Sequence, residues 1–462
     1  MFEHKIQNEP NENQSSENLV VNYTEPTLIA IAGRPNVGKS TLFNRLIGER
    51  RAIIANEPGT TRDRIIGKLE TEDASFIIVD TGGLQGTAFD LMEEKVQNQV
   101  YLALTDADII IFLADGSTGL TPLDHEIARE IRKYNKPILL VINKCESETR
   151  KASISEFFQL SIGDPIPISA IQNQGIYELI EKMTELSSNT TIGKIVNSSI
   201  PQFAIVGRPN AGKSSILNCI AGDARAIVDS IPGTTRDAID STILYNNQEI
   251  SLIDTAGLKK RGSITPGIEK FSSLRTLHAI ERASIGILII DLENLMTMQD
   301  LHIAGYVLDA YKGLVIVINK WDLAENFGYS KKEILRQVQL KLHWAPYVPI
   351  VFASALMNEG ISELIETGLE VWENRLVQIP RAKLNQIILE ALARHPLPSQ
   401  GQKHLRFIRA AQKSIDPPSF TLYVSEPKMV HFSYRRYLQN SIRNKFEFKG
   451  NPIKLNFERL GG

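Results

Sequence analysis

The chain has 462 residues, and at roughly 150 residues per domain this length predicts about three domains. With 42% hydrophobic and 23% charged residues, the composition excludes a chain that is disordered throughout, and no uncharged apolar run approaches the ~18 residues of a membrane-spanning helix. Two cysteines, Cys145 and Cys219, cannot build a disulfide framework or a cysteine-based zinc site, which predicts a reducing, cytoplasmic location.

The net charge of −2 hides an uneven distribution. Residues 379–462 contain 15 Lys and Arg against five Asp and Glu, whereas the whole chain contains 51 against 53. Aromatic residues stand among the basic ones, at Phe432, Tyr434, Tyr437, Phe446 and Phe448. Such a segment favours nucleic-acid binding through phosphate neutralisation. The alternative is a solvated basic face over the segment's own aromatic core.

The predicted elements begin after a polar, acidic stretch of 26 residues that predicts a disordered tail. Short β-branched runs then alternate with amphipathic stretches, which is typical of βαβ units and parallel sheets. Strands are predicted at 28–32, 76–79, 109–113 and 138–142, and again at 203–206, 252–253, 285–290 and 314–318. The basic segment predicts strands at 420–424 and 430–432 and a helix at 434–444.

Two boundaries divide the chain. Residues 183–199 have the Ser-, Thr- and Asn-rich composition of a linker, and Pro380 marks a second boundary. We therefore predict a tail at 1–26, a first domain at 27–186, a linker at 187–200, a second domain at 201–378 and a basic third domain at 379–462.

The first two domains repeat the same motifs. GRPNVGKS at 33–40 returns as GRPNAGKS at 207–214, and PGTTRD at 58–63 and DTGGL at 80–84 return at 232–237 and 254–258. NKCE at 143–146 returns as NKWD at 319–322, and the Ser-Ala pair at 169–170 returns at 354–355. This spacing far exceeds the ~20 to 50 residues of solenoid repeats, so it indicates a duplicated domain.

The first repeated motif fits G-x-x-x-x-G-K-S and follows an apolar strand, the context expected of a phosphate-binding loop. Glycines let backbone N–H groups face phosphate oxygens, the lysine adds positive charge at the β and γ phosphates, and the serine hydroxyl binds Mg²⁺. The predicted contacts are Gly33, Arg34, Pro35, Asn36, Val37, Gly38, Lys39 and Ser40, and then Gly207, Arg208, Pro209, Asn210, Ala211, Gly212, Lys213 and Ser214.

The next motif begins with an aspartate that ends an apolar strand. Its carboxylate can hold the metal through water, and the glycine N–H can sense the γ-phosphate. The predicted contacts are Asp80, Thr81, Gly82, Gly83 and Leu84, and then Asp254, Thr255, Ala256, Gly257 and Leu258.

The N-K-x-D motif predicts recognition of guanine. An aspartate at Asp322 can accept hydrogen bonds from guanine N1–H and N2–H₂ together, a donor pair that adenine lacks. The stem of Lys320 can cover the base, and the backbone at 354–355 can reach guanine O6. The predicted contacts are Asn143, Lys144, Cys145, Glu146, Ser169 and Ala170, and then Asn319, Lys320, Trp321, Asp322, Ser354 and Ala355.

With these motifs, the chain closely resembles the Der (EngA) family of tandem GTPases involved in ribosome assembly. The resemblance covers about residues 27 to 460, including RRYL at 435–438 and FEFKGNPI at 446–453, which are similar to the family's KH-like end. It implies an α/β fold with two tandem P-loop GTPase domains, mostly parallel sheets and a small α+β KH-like domain. It also implies GTP hydrolysis coupled to maturation of the large ribosomal subunit through its rRNA, by a monomeric chain without stable membrane association.

The family motifs imply further roles. Thr61 and Thr235 would complete the Mg²⁺ shell with Ser40, Asp80, Ser214 and Asp254, and Lys39, Thr61, Lys213 and Thr235 are the implied catalytic residues. Asn36 and Asn210 match the asparagine with which related GTPases hold K⁺, so K⁺ stimulation is expected. Leu84 and Leu258 stand where many GTPases have Gln and cannot orient water, so slow intrinsic hydrolysis is expected.

Two departures from the family pattern modify these expectations. Glu146 replaces the aspartate of the guanine motif, and a misplaced carboxylate could cost on the order of 1 to 3 kcal/mol in base recognition. We therefore expect the first domain to bind GTP more weakly or less selectively than the second. The KH-like domain lacks a clear G-x-x-G loop, so its basic face either binds RNA in another way or docks on the acidic GTPase domains.

Two other function classes are disfavoured by the sequence. One is a GTPase acting in tRNA modification or membrane remodelling, for which a cysteine nucleophile near the terminus or a membrane-active helix would be expected. The other is a phosphotransferase with a small acceptor, against which the guanine motif argues.

Overall fold

A computed structural model describes residues 26–48, 66–71, 74–81, 103–146, 153–190, 200–223, 240–254, 271–396, 399–400 and 403–459. Most of the predicted tail lies outside this part of the chain, as do Thr61, Thr235 and residues 82–84 and 255–258. Within the described residues, no helix has the length and apolar character needed to span a membrane.

The first domain is built on a six-stranded sheet. Its strands are β1 (Thr27–Ala32), β2 (Ile66–Glu70), β3 (Ser75–Asp80), β4 (Ile109–Asp115), β5 (Ile138–Asn143) and β6 (Ile166–Pro167), in the order β2-β3-β1-β4-β5-β6. The β2 strand runs antiparallel to β3, and the pairs from β3 through β6 are parallel. The helices are α1 (Lys39–Ile47), α2 (Pro122–Arg132) and α3 (Ile176–Thr190), with a 3₁₀ helix at Ser153–Leu160. All residues of β1 and β4 are buried, as expected for a parallel sheet covered on both faces.

The second domain repeats this topology. Its strands are β7 (Gln202–Val206), β8 (Ser241–Tyr245), β9 (Gln248–Ile253), β10 (Ile285–Asp291), β11 (Gly313–Asn319) and β12 (Ile350–Phe352), in the order β8-β9-β7-β10-β11-β12. Its helices are α4 (Lys213–Asp223), α5 (Phe271–Arg282), α6 (Met298–Asp309), α7 (Lys331–Lys341) and α8 (Ile361–Arg375). The two mostly parallel sheets confirm the predicted fold class and the duplication.

The C-terminal domain is a small α+β unit, as predicted. It contains α9 (Arg381–Arg394), a short hairpin of β13 (Ser399–Gln400) and β14 (Lys403–His404), and a sheet of β15 (Phe407–Ser414), β16 (Ser419–Val424) and β17 (Lys454–Glu458), with α10 (Phe432–Arg443). The predicted strand at 420–424 is confirmed, and the predicted helix at 434–444 begins two residues early. The predicted strand at 430–432 is wrong, because His431 caps α10 through a hydrogen bond from the Ser433 N–H.

The composition of residues 183–199 predicted a linker, but residues 183–190 form the C-terminal half of α3. Met183 is fully buried in the core of the first domain, and the Ser187 and Thr27 hydroxyls share a 2.7 Å hydrogen bond. These contacts of one face explain why a Ser- and Thr-rich stretch stays helical. Residues 191–199 lie outside the described part of the chain.

The C-terminal domain is joined to the second domain through buried polar contacts. The Arg375 guanidinium, 1% exposed, donates from Nε to Asp416 Oδ1 at 2.6 Å. The Asn451 side chain donates to the Val371 carbonyl at 2.7 Å, and the Leu314 N–H donates to the Gly450 carbonyl at 2.9 Å. A buried charge is tolerated only when it is paired, so this joint depends on Arg375 and its partner staying together.

Candidate nucleotide-binding sites

Each phosphate loop connects the central strand of a sheet to a helix, from β1 to α1 and from β7 to α4. Gly38 and Gly212 precede these helices in the left-handed region, with φ of 98° and 91°. A Cβ at either position would clash with the side-chain amide of Asn143 or Asn319. The loop backbone therefore lies against a neighbouring strand, and each helix begins where its free N–H groups can receive an anion.

The lysines of the loops are buried and face the loop backbone. Lys39 Nζ donates to the carbonyl oxygens of Gly33 at 2.9 Å and Arg34 at 2.8 Å, and Lys213 Nζ donates to the Arg208 carbonyl at 2.5 Å. Burial lowers the pKa of Lys39, while the nearby Asp80 carboxylate acts in the opposite direction. Both ammonium groups thus lie at the phosphate loops, where a cation can contact a polyphosphate.

Ser40 and Asp80 meet at the edge of the first phosphate loop. The Ser40 hydroxyl donates to Asp80 Oδ2 at 2.5 Å, and Asp80 is buried. A hydroxyl and a carboxylate oxygen at this spacing suit the preference of Mg²⁺ for oxygen ligands. The residues therefore fit a magnesium ion, which Ser40 would ligate directly and Asp80 would hold through water.

The second domain arranges the matching aspartate, Asp254, differently. Asp254 adopts φ of 57°, in the left-handed region, and its backbone N–H donates to Asp240 Oδ1 at 2.9 Å. Asp240 was not predicted as a site residue, because it stands outside the repeated motifs.

The arginines of the phosphate loops turn their side chains away from the loop. Arg208 Nε lies 3.0 and 3.1 Å from the two carboxylate oxygens of Asp300, and its Nη2 donates to the Asn294 carbonyl at 2.9 Å. In the first domain, Arg34 Nε lies 3.4 Å from Asp124 Oδ1. Both arginines were predicted as nucleotide contacts from the motif, but their guanidinium groups contact protein carboxylates. Their backbones remain part of the loops.

Asp124 and Asp300 anchor these arginines from the first turns of α2 and α6. Each is the third residue of its helix and completes a capping box, in which its carboxylate also accepts from the backbone N–H of Thr121 or Thr297. Neither aspartate was predicted from the sequence, although both belong to the same T-x-x-D pattern, at 121–124 and 297–300. They fix the position of the phosphate loop relative to the following βα unit.

One asparagine in each domain connects three of the motifs. Asn143 Nδ2 donates to the Val37 carbonyl at 2.9 Å, and its Oδ1 accepts from the Ala170 N–H at 3.0 Å. Asn319 makes the equivalent pair of bonds, at 2.9 and 3.2 Å. The structure thus brings the phosphate loop, the N-K-x-D motif and the Ser-Ala loop together, as the guanine-site prediction requires.

The lysine of each guanine motif is held by an aspartate that sequence analysis missed. Lys144 Nζ lies 2.6 Å from Asp115 Oδ2, and Lys320 Nζ lies 2.7 Å from Asp291 Oδ2. Although burial acts to raise it, hydrogen bonds from Lys144 and Ser117 hold the pKa of Asp115 below its ordinary value. Each aspartate is the last residue of the strand next to the central one in the sheet, β4 or β10. This position is the same in both repeats, and that repetition was the signal in the sequence.

Glu146 and Asp322 make the same hydrogen bond despite their different lengths. The Ser169 hydroxyl donates to Glu146 Oε1 at 3.0 Å, and the Ser354 hydroxyl donates to Asp322 Oδ1 at 2.5 Å. The extra methylene of Glu146 therefore leaves the serine contact in place and lengthens it. Cys145 is buried behind this loop, with its thiol donating to the Ile142 carbonyl.

Comparison with known proteins decides the family. Residues 28–144 and 202–320 match the family model described as 50S ribosome-binding GTPase, and residues 378–458 match the KH-domain-like model of EngA bacterial GTPase enzymes, C-terminal. The chain is 45% identical to GTPase Der of Thermomicrobium roseum, over 93% of this chain and 95% of that protein. The chain belongs to the Der family of GTPases. GTPase Der of Chloroflexus aggregans is 43% identical to it, over 93% of this chain and 97% of that protein.

Membership of the Der family confirms the predicted resemblance and its general chemistry. The chain is a GTPase, and its two GTPase domains imply binding of GTP or GDP with Mg²⁺.

The Glu146 substitution generates a direct prediction. The test uses the full-length chain with its second nucleotide site disabled by Lys213→Ala. In this background, Glu146→Asp is expected to tighten GTP binding to the first site by roughly tenfold, because the shorter aspartate side chain places its carboxylate better for the guanine edge. Titration calorimetry with GTP and XTP measures this effect. The matched control is Asp322→Glu in a Lys39→Ala chain, which should weaken GTP binding. Equal GTP affinity before and after Glu146→Asp, with an unchanged preference over XTP, would contradict the prediction.

Proposed function

We propose that this protein is a GTP-dependent switch that binds the pre-ribosomal large subunit and assists its assembly in the cytoplasm as a monomer. The observation that carries the proposal is the match of both GTPase domains to a family described as 50S ribosome-binding, together with a basic KH-like domain. We also propose the predicted division into three domains, with the first domain extended from 186 to the end of α3 at residue 190, the second at 201–378 and the third at 379–462.

The nucleotide sites proposed from the sequence follow the same pattern in both domains. Backbone N–H groups at 33–40 and 207–214 would contact the phosphates, and Lys39 and Lys213 would add positive charge beside them. Ser40 and Asp80, with Thr61, would hold one Mg²⁺, and Ser214 and Asp254, with Thr235, would hold the other. Bound Mg²⁺ would neutralise charge on the β and γ phosphates.

The basic residues of the C-terminal domain divide into two groups. One group docks on the second domain: Arg443 lies over the Tyr347 ring at 3.6 Å, and Lys449 Nζ lies 2.6 Å from Glu370 Oε2. The Lys449–Glu370 pair joins a basic residue of the third domain to an acidic residue of the second. This contact agrees with the expectation that the basic domain docks on the acidic GTPase domains.

The other basic group remains exposed and supports binding to rRNA. Arg435 and Arg436 are exposed on α10, Lys428 is exposed just before this helix in the chain, and Phe432 at the start of the helix is 72% exposed. Arginines neutralise phosphates, and an exposed aromatic ring can stack on an unpaired base. We propose this face of α10 as the contact with rRNA, independent of a G-x-x-G loop.

Ribosome binding is tested by co-sedimentation. At fixed salt, the chain should pellet with purified large subunits in the presence of a non-hydrolysable GTP analogue and remain in the supernatant with GDP. The double change Arg435→Glu and Arg436→Glu should reduce pelleting at least tenfold, because two phosphate contacts are reversed in charge. Lys383→Glu, on an exposed lysine of α9, is the matched control and should pellet normally. Equal pelleting with both nucleotides would contradict the switch, and no pelleting with either would favour another RNA process, such as tRNA modification.

We further propose that hydrolysis is slow on its own and stimulated by K⁺, with Asn36 and Asn210 holding the cation. These residues adopt left-handed backbone conformations, with φ of 66° and 63°. Asparagine tolerates this conformation better than most residues. Asparagine at these positions thus has two explanations, K⁺ binding by its side chain and tolerance of the left-handed backbone, and the following experiment separates them.

The glycine substitution separates them, because glycine keeps the left-handed backbone and removes the side chain. In a Lys39→Ala chain, GTP hydrolysis by the second domain should be at least tenfold faster in KCl than in NaCl of equal concentration, well below the ~10³ that an arginine finger supplies. Asn210→Gly should abolish this difference while GDP still binds. Equal rates in both salts before the Asn210→Gly change would rule out the K⁺ proposal.

A further inference from the structure

The two GTPase domains contact each other through an ion pair and an adjacent apolar contact. Lys68 on β2 of the first domain lies with its Nζ 2.7 Å from Glu281 Oε2 on α5 of the second. The Lys68 side chain is 22% exposed and the Glu281 side chain 2% exposed. Leu277, one turn earlier on α5, packs against an apolar cluster of the first domain formed by Leu28, Ile66, Ile77, Val79 and Ala103.

Both partners lie next to nucleotide-responsive motifs in the sequence. The β2 strand is the first described element after the PGTTRD motif at 58–63, and α5 is the first after the DTAGL motif at 254–258. In GTPases, segments of these two kinds respond to the γ-phosphate. The ion pair therefore joins the responsive side of one domain to the responsive side of the other.

From Glu281 a chain of charged groups continues to the second nucleotide site. The neighbouring Arg282 places Nη2 2.6 Å from Asp240 Oδ2, and Asp240 Oδ1 accepts from the Asp254 N–H at 2.9 Å. Asp254 is the residue proposed to face Mg²⁺, and its left-handed backbone is supported by this hydrogen bond. A displacement of α5 would therefore reach the metal-facing aspartate through two charged side chains.

The first domain has no counterpart of this arrangement among the described residues. The strand registers align Asp240 with Ile66, whose side chain cannot accept a hydrogen bond, and the starts of β10 and β4 align Arg282 with Asp106. Asp80, the counterpart of Asp254, lies outside the left-handed region. Among the described residues, a polar path from the domain contact to the motif aspartate is thus found in the second domain and not in the first.

Glu281 is also held by groups from the second domain itself. The Tyr306 hydroxyl donates to Glu281 Oε1 at 3.0 Å, and Lys312 Nζ donates to the Glu281 carbonyl at 2.7 Å. Burial, together with the nearby Arg375, lowers the pKa of Lys312 to about 7, while Asp416 acts in the opposite direction. Lys68 is therefore an important cationic partner of a buried carboxylate, and loss of one partner from a buried pair is strongly unfavourable.

We propose that the first domain sets the nucleotide affinity of the second through the path Lys68, Glu281, Arg282, Asp240 and Asp254. In one position of the first domain relative to the second, Lys68 contacts Glu281, and Arg282 of α5 holds Asp240 against the Asp254 N–H. In the other position the Lys68–Glu281 contact is weakened, and the hydrogen bond from Asp254 to Asp240 is held less firmly. Because coupling between binding sites is reciprocal, nucleotide bound in the second domain changes the nucleotide affinity of the first by the same factor. The proposal rests on the nucleotide sites proposed above.

The test loads the two sites of the full chain independently. Asp322→Asn makes the second domain read xanthine, because an amide can donate to the xanthine O2 where the carboxylate accepted from guanine. The dissociation constant of fluorescent XDP is then measured with the first domain loaded with GDP or with a non-hydrolysable GTP analogue. The two values should differ about fivefold, the lower end of typical allosteric coupling.

Two variants locate the path in this chain. Lys68→Gln and Asp240→Asn should each bring the two dissociation constants to within 1.5-fold of one another, while XDP binding itself reports that the second domain is folded. Lys182→Gln is the matched control, because Lys182 is an exposed lysine of the first domain paired with Glu185 at 2.8 Å, and it should preserve the fivefold difference. Equal dissociation constants in the starting chain, or a difference that survives Lys68→Gln, would overturn the proposal. Failure of both sites to bind nucleotide would overturn the proposed sites as well, whereas binding without coupling would overturn this inference alone.

Discussion

The hydrogen bonds from Asn319 to the Ala211 carbonyl and from Asn143 to the Val37 carbonyl hold the two phosphate loops on which the molecule depends. A helix N-terminus offers free N–H groups to an anion only if the preceding loop stays open. The glycine before each helix lets the asparagine side chain approach the backbone, and the second bond of the same side chain fixes the guanine loop. Phosphate and base recognition therefore share one support in each domain.

Duplication gave the two domains the same support but different surroundings. Both anchor the loop arginine on a capping aspartate and the motif lysine on a strand-end aspartate. They differ where the domains meet, since Asp240 and Arg282 are found beside Asp254 and have no equivalent beside Asp80 among the described residues. The second domain also carries the joint to the KH-like domain, so it contacts both neighbours.

Local patterns were enough to predict the four inner strands of each GTPase sheet and the nucleotide motifs, but not the edge strands β2, β6, β8 and β12. The glycine-rich loops and buried strands have spacings dictated by backbone geometry, and their repetition left little freedom of interpretation. Partners distant in sequence were missed, as with Arg208 and Asp300, because a guanidinium beside a phosphate loop suggests a phosphate contact until the carboxylate is seen. The error at 430–432 has a local cause, since a short apolar run does not distinguish a strand from a capped helix start. The helical end of α3 depends on the tertiary contacts of Met183 and Ser187, which composition does not report.

The number and identity of bound nucleotides test the central claim most directly. Equilibrium binding to the full chain should give two GDP per chain, one per chain in each of Lys39→Ala and Lys213→Ala, and no displacement by a hundredfold excess of ATP. The first result follows from two phosphate loops held alike, and the last from guanine reading by a carboxylate. A chain that bound no guanine nucleotide, or exchanged it readily for ATP, would contradict the account.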